Sequence, residues 1–112
     1  MKMNDRESLE LAAKAAGIRL EWDGPPDQWV PMFYDGKTYR AWNPRKDDAD
    51  TLQLAAKLLI QIYPDKDEVE VFHMEIGYLV EPTNGDVLDA IRRGVLRAAA
   101  EIGRQVEKGG AA

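Results

Sequence analysis

The chain has 112 residues, a net charge of −5 and no cysteine, which fits one domain with its own core and excludes disulfides and thiolate metal sites. No apolar run reaches the roughly 18 residues of a membrane span, and Met1–Asp5 lack the apolar stretch of a secretory signal, so a cytoplasmic protein is expected. The negative charge argues against nonspecific nucleic-acid binding; it sits in residues 21–82, with 13 acidic against 6 basic groups, whereas residues 83–112 hold 4 against 5.

In chain order, Asn4 and Glu7 have capping-box spacing, and Leu9, Ala12, Ala13 and Ala16 follow at helical intervals. Gly17 fits a left-handed stop with Ile18 folding back, so the first helix spans about 5–16. Its alanine face suits close packing. Ile18–Trp22 alternates as a strand does, Asp23–Asp27 is loop by composition, and Gln28–Tyr34 is rich in β-formers. Pro31 confines that second strand to an edge or a bulge. Asp35-Gly36 signals a hairpin, and Lys37–Trp42 returns as its second arm. Residues 18–42 thus read as a three-stranded meander rich in aromatics.

Trp42-Asn43-Pro44 turns the chain into a helix start, with Asp47 as N-cap and Asp50 three residues on. From there the spacing predicts a helix to Tyr63, ended by Pro64. Leu52, Ala55, Ala56, Leu59, Ile60 and Tyr63 form its stripe, widened by Leu54, Leu58 and Ile62. A helix so apolar is expected to be the core, where Leu59→Ala would cost about 2–5 kcal/mol. Glu68–Val80 is strand-like and interrupted at Glu75-Ile76-Gly77. It reads as a hairpin turning near His73–Gly77, with a single bulged strand as the rival. Thr83 and Asp86 are spaced as a capping box for a third helix over about 86–107, with Val87, Ile91, Val95, Ala98, Ala99, Ile102 and Val106 as its buried stripe. Lys108–Ala112 reads as a frayed tail. The order α-βββ-α-ββ-α predicts an α+β domain, an antiparallel sheet of about five strands against three helices.

Candidate sites each carry two readings. Asp47, Asp48 and Asp50 read as helix capping with dipole complementarity; the alternative is a hard-cation site. His73, the one histidine, lacks the partners of a catalytic base or metal ligand and reads as a strand or turn residue. Gly24-Pro25-Pro26 and Thr83–Asp86 read as turns rather than phosphate loops. Arg93, Arg97 and Arg104 share one side of the third helix, as an anion ridge or as a solvated face with Glu101 pairing Arg97. The aromatics Trp29, Phe33, Tyr34, Tyr39 and Trp42 divide between core and a stacking surface. The candidate binding set is Trp29, Tyr39, Arg40, Trp42, Asn43 and Arg45, with Trp42 at a pocket rim.

Three segments carry a family resemblance: Asn4–Glu7 with Leu9–Ile18, Trp42-Asn43-Pro44 with Asp47–Asp50 and Leu52–Leu58, and Arg92–Gly103. Together they resemble small tailed-phage and prophage accessory proteins of unknown function, distantly similar to the NinX-like proteins of lambdoid phages. Ala49, Thr51 and Gln53 stand where that pattern has glycine, alanine and arginine. The resemblance implies a phage or prophage origin and supplies no catalytic residues. With no catalytic constellation and no cofactor implied, the expectation is a non-enzymatic binder of a host protein or complex. Sequestration of a small molecule such as a nucleotide signal is the alternative, and a metal-dependent enzyme at the aspartates a weaker one. A homodimer through the strand edge near Pro31 stays open.

Overall fold

The computed structural model describes residues 4–25 and 27–109. Residues 1–3 of the expected leaderless start, Pro26 of the expected loop and residues 110–112 of the expected tail lie outside the described residues.

Helix α1 spans Asp5–Ala16. Asn4 Oδ1 accepts the Glu7 N–H at 2.8 Å, so the expected N-cap forms, while the Glu7 carboxylate accepts from the Asn4 side-chain Nδ2 at 3.1 Å in place of the backbone N–H of a full capping box. At the other end Gly17 adopts φ 71°, and the N–H groups of Gly17 and Ile18 donate to the Lys14 and Ala13 carbonyls. This satisfies carbonyls that the helix end would leave unpaired.

Strands β1 (Glu21–Asp23), β2 (Val30–Tyr34) and β3 (Tyr39–Ala41) form the expected antiparallel meander in the order β1-β2-β3. Asp35 closes the hairpin by accepting the Lys37 and Thr38 N–H groups. Pro31 departs from expectation, because it lies buried in the central strand rather than at an edge. Its position explains the tolerance. Pro31 follows Met32↔Ala41 in register, opposite Trp42, where β3 has just ended. Its carbonyl accepts the Trp42 N–H at 2.9 Å, and its missing N–H falls where the chain is already leaving the sheet.

Helix α2 spans only Asp48–Leu58. The expected continuation to Tyr63 is replaced by strand β4, Gln61–Pro64, which pairs with β5, Glu68–His73. Leu59 is the left-handed cap at φ 59°, and Ile60 N–H reaches back to the Ala55 carbonyl. Residues 60–63 satisfy both periods: Ile60 and Ile62 also face inward on a strand, and β-branched side chains favour that state when a partner strand exists. Pro64 therefore ends an edge strand rather than a helix. Four residues of the expected stripe are exposed, Leu52 (67%), Ala56, Leu59 (79%) and Tyr63; Leu54 and Ala55 are buried beside Asp50 and Thr51.

The hairpin reading of 68–80 holds: β6 spans Gly77–Pro82 and pairs with β5 in the order β4-β5-β6. The fold is α+β with six strands in two three-stranded sheets, not five in one. The sixth strand is the segment read as helix, and the two meanders do not share an edge. Helix α3 runs from Val87 to Gly109, so Lys108 and Gly109 extend the helix. Asp86 alone caps it, accepting the Asp89 N–H at 3.0 Å. Thr83 is buried instead and donates to the Lys66 carbonyl, tying the two ends of the hairpin together.

The core is built on α3, not on α2. α3 packs against α1 and α2 and against the inner face of the second sheet. Val95, Ala98 and Ala99 are fully buried, as expected, and Val69 and Val71 meet them from β5; Val106 is exposed. Small residues let the helices close. A Cβ on Gly103 would stand 2.7 Å from the Leu11 carbonyl carbon and overlap its oxygen.

Two stability measurements check this packing. Alanine is better than glycine in a helix by about 1 kcal/mol, but at Gly103 the overlap is with backbone and wins. Gly103→Ala is expected to destabilise by about 3 kcal/mol in urea unfolding. Leu59→Gly is expected to stabilise by about 0.5–1 kcal/mol, since it relieves a left-handed leucine whose side chain is exposed. Leu59→Ala should fall within about 0.5 kcal/mol of wild type.

Candidate functional site

The Trp42–Asp50 junction is consumed by the fold. Trp42 is 2% exposed and belongs to the core, which corrects its expected place at a pocket rim. It shares a strand face with Arg40, and the turn at buried Pro44 folds that face inward. Asn43 spends its side chain on the Arg45 N–H at 3.0 Å and its carbonyl on the N–H groups of Lys46 and Asp47. Asp50, with a 5% exposed side chain, accepts the Asn43 N–H at 2.9 Å and an Arg40 N–H at 3.3 Å. Thr51 donates its hydroxyl to the Pro44 carbonyl at 2.6 Å. A buried carboxylate is tolerable here because charged and backbone donors replace its water.

The aspartates do not converge. Asp47 caps α2 through the Asp50 N–H, Asp48 pairs with Arg92 at 2.6 Å, and Asp50 faces Asn43. Among the described residues no three His, Cys, Asp or Glu side chains are grouped to hold a metal. His73 ends β5, and its Nδ1 accepts the Glu75 N–H at 3.1 Å, which closes the turn to β6.

The candidate arginines are equally committed. Arg45 pairs with Asp89 at 2.6 Å, and Arg93 bridges Asp89 and Glu81. Arg97 joins Glu81 at 2.9 Å rather than Glu101, which turns to Arg104. The expected ridge is therefore neutralised. Hydrogen bonds from Arg45 and then Arg93 pull the Asp89 carboxyl from its ordinary 3.8 down to about 2, outweighing partial burial.

Of the remaining candidates, Trp29 is 42% exposed with the Arg6 guanidinium 5.5 Å from its ring. Arg6 lies closer to Trp22, at 4.6 Å, and pairs with Glu10, so this cluster pins the first sheet to α1. Tyr39 is exposed beside Tyr34, with ring centroids 5.3 Å apart. The candidate set thus splits: Arg40, Trp42, Asn43 and Arg45 hold the fold, while Trp29 and Tyr39 present ring surface.

The sequence reading missed the outer face of the second sheet. Register places Gln61, Phe72 and Tyr78 in one row and Tyr63, Glu70 and Val80 in the next, with Glu68 beyond. Phe72 and Tyr78 lie 4.7 Å apart, Tyr63 and Tyr78 6.4 Å. Tyr63, Tyr78 and Val80 are exposed, and Met74 in the connecting turn is 85% exposed. The Glu68-Val69-Glu70-Val71 alternation marked an outward side. Its aromatic character stayed hidden because Tyr63 read as helix. Compared with known families, curated proteins and solved structures, the chain matches none.

The Asp89 network has an acid signature. Its folded pKa lies below the ordinary value, so its stabilisation is complete above about pH 4 and is lost as pH falls towards about 2. Asp89→Asn is expected to lower the melting temperature at neutral pH and to flatten the stability profile across that window, read by thermal melts from pH 2 to 7.

Proposed function

We propose that this chain is a phage- or prophage-encoded accessory protein that acts by binding, docking the outer face of its second sheet on a basic segment of a host protein. The observation that carries the reading is the composition of that face. Tyr63, Tyr78 and Val80 stand exposed on a sheet whose other side is buried on α3. Around them Glu68, Glu70 and Glu75 are in no ion pair among the described residues, although most arginines of the chain are paired. Aromatic rings give contact area at low entropic cost, and free carboxylates steer a positively charged partner. The Trp-Asn-Pro and helix segments that resemble phage accessory proteins support the origin.

The test is capture from lysate of the bacterial host, with wild type against a charge-preserving Tyr78→Ser/Val80→Ser bait of unchanged melting temperature. The expected outcome is one host protein enriched on wild type alone. Its purified complex should weaken with salt and with Glu68→Gln/Glu70→Gln. Equal recovery on both baits, or none on either, would refute the reading.

A further inference from the structure

We infer that a second surface, the hollow between the ends of α1 and α2 and the β2–β3 hairpin, is a site for a nucleoside monophosphate. It goes beyond protein docking and uses none of the same residues. The hollow measures about 700 Å³, within the size range of small-ligand sites. Its walls hold both halves of a recognition pair, exposed aromatic rings and uncommitted cations.

The cations are Arg19 and Lys57. Every other arginine of the chain is held by a carboxylate within 4.0 Å, but Arg19 is in no ion pair among the described residues, and neither is Lys57. Arg19 follows directly on the Gly17-Ile18 stop of α1, and Lys57 lies in the last turn of α2. Two capped helix ends therefore fix the backbone from which both side chains reach a single hollow. An anion there would meet a planar fork of donors and an ammonium without first breaking an internal pair.

The rings are Tyr34 and Tyr39, 55% and 57% exposed, tilted by 43° to each other, with Phe33 beside them. Their β-hairpin is held by the Asp35 turn, so a stacking platform exists before a ligand arrives. The Tyr34 hydroxyl is engaged with the Gly36 carbonyl, which leaves ring faces as the available feature. Base–aromatic stacking is tolerant of base identity.

Two carboxylates also line the hollow, and they fit a base better than a bare anion. Asp35 is occupied by the Lys37 and Thr38 N–H groups, which hold its carboxyl below the usual carboxylate range. Glu21 is exposed and unpaired among the described residues, and can accept N–H groups from a base edge. A ligand with a ring, ring-edge donors and one anionic group matches this set. Inorganic phosphate alone would feel Glu21 as repulsion.

The experiment is amide NMR titration of the full chain with the common nucleoside monophosphates, and with nucleosides and inorganic phosphate as separate arms. Saturable shifts are expected at residues 17–21, 33–39 and 57, stronger with a monophosphate than with either fragment. Arg19→Ala and Tyr39→Ala should each weaken binding about tenfold, the loss typical of one charge-assisted hydrogen bond or one stacked base. Arg104→Ala and the Tyr78→Ser/Val80→Ser variant should bind as wild type does, so failure here is separable from failure of the docking face. No saturable shift at millimolar ligand, shifts unaltered by Arg19→Ala and Tyr39→Ala, or equal binding of phosphate alone would each overturn the assignment.

Discussion

Helix α3 must be covered on nearly every side, and the small residues that allow this set the architecture. Where α1 crosses α3, Gly103 meets the Leu11 main chain, with no room for even a methyl group. Ala12, Ala13 and Ala16 from α1 meet Ala98, Ala99 and Ile102 in the same core. Close approach gains dispersion contacts that longer side chains would hold apart. On the opposite side Gly94 lets Val71 of β5 come within 3.0 Å of where a Cβ would stand. The helix is thus clamped between a helix and a sheet, and α2 and the first meander attach around that sandwich.

A second layer of order is electrostatic. The chain is acidic, yet its carboxylates are not simply solvated. Asp48, Glu81 and Asp89 gather the guanidinium groups of Arg45, Arg92, Arg93 and Arg97. These pairs join the start of α2 and the end of β6 to the first turns of α3. Shared carboxylates and partial burial distinguish this network from isolated surface pairs, which contribute little. The network also removes most cationic candidates from functional consideration, because an arginine bridging two carboxylates has no fork to offer a ligand.

What survives as available surface is narrow and separated. The outer face of β4-β5-β6 offers rings and free carboxylates. The hollow at the other meander offers rings and free cations. The two surfaces have opposite charge logics on one small chain, an acidic face for a basic segment and a cation pair for the anionic group of a nucleotide.

The sequence by itself determined the local devices: the Asn4–Glu7 cap, the Gly17 stop, the Asp35-Gly36 turn, the Asp47 cap and the hairpin at His73–Gly77. Each is decided by contacts within a few residues, so each is legible without knowing the fold. Tertiary structure decided the rest. Residues 60–63 fit helix and strand equally, and only β5 as a partner made them a strand; packing likewise put the core on α3 and the six strands in two sheets. The candidate site failed for the same reason. Trp42, Arg40 and Arg45 have the chemistry of ligand contacts, but the core buried the Trp42 ring, and Asp50 and Asp89 paired with the two arginines. Tyr39, one of the aromatics left undivided between core and surface, is exposed, and Arg19, not singled out from sequence, is in no ion pair among the described residues. Whether a polar or aromatic side chain is free is a property of its neighbours, and neighbours across elements are fixed only when the chain packs.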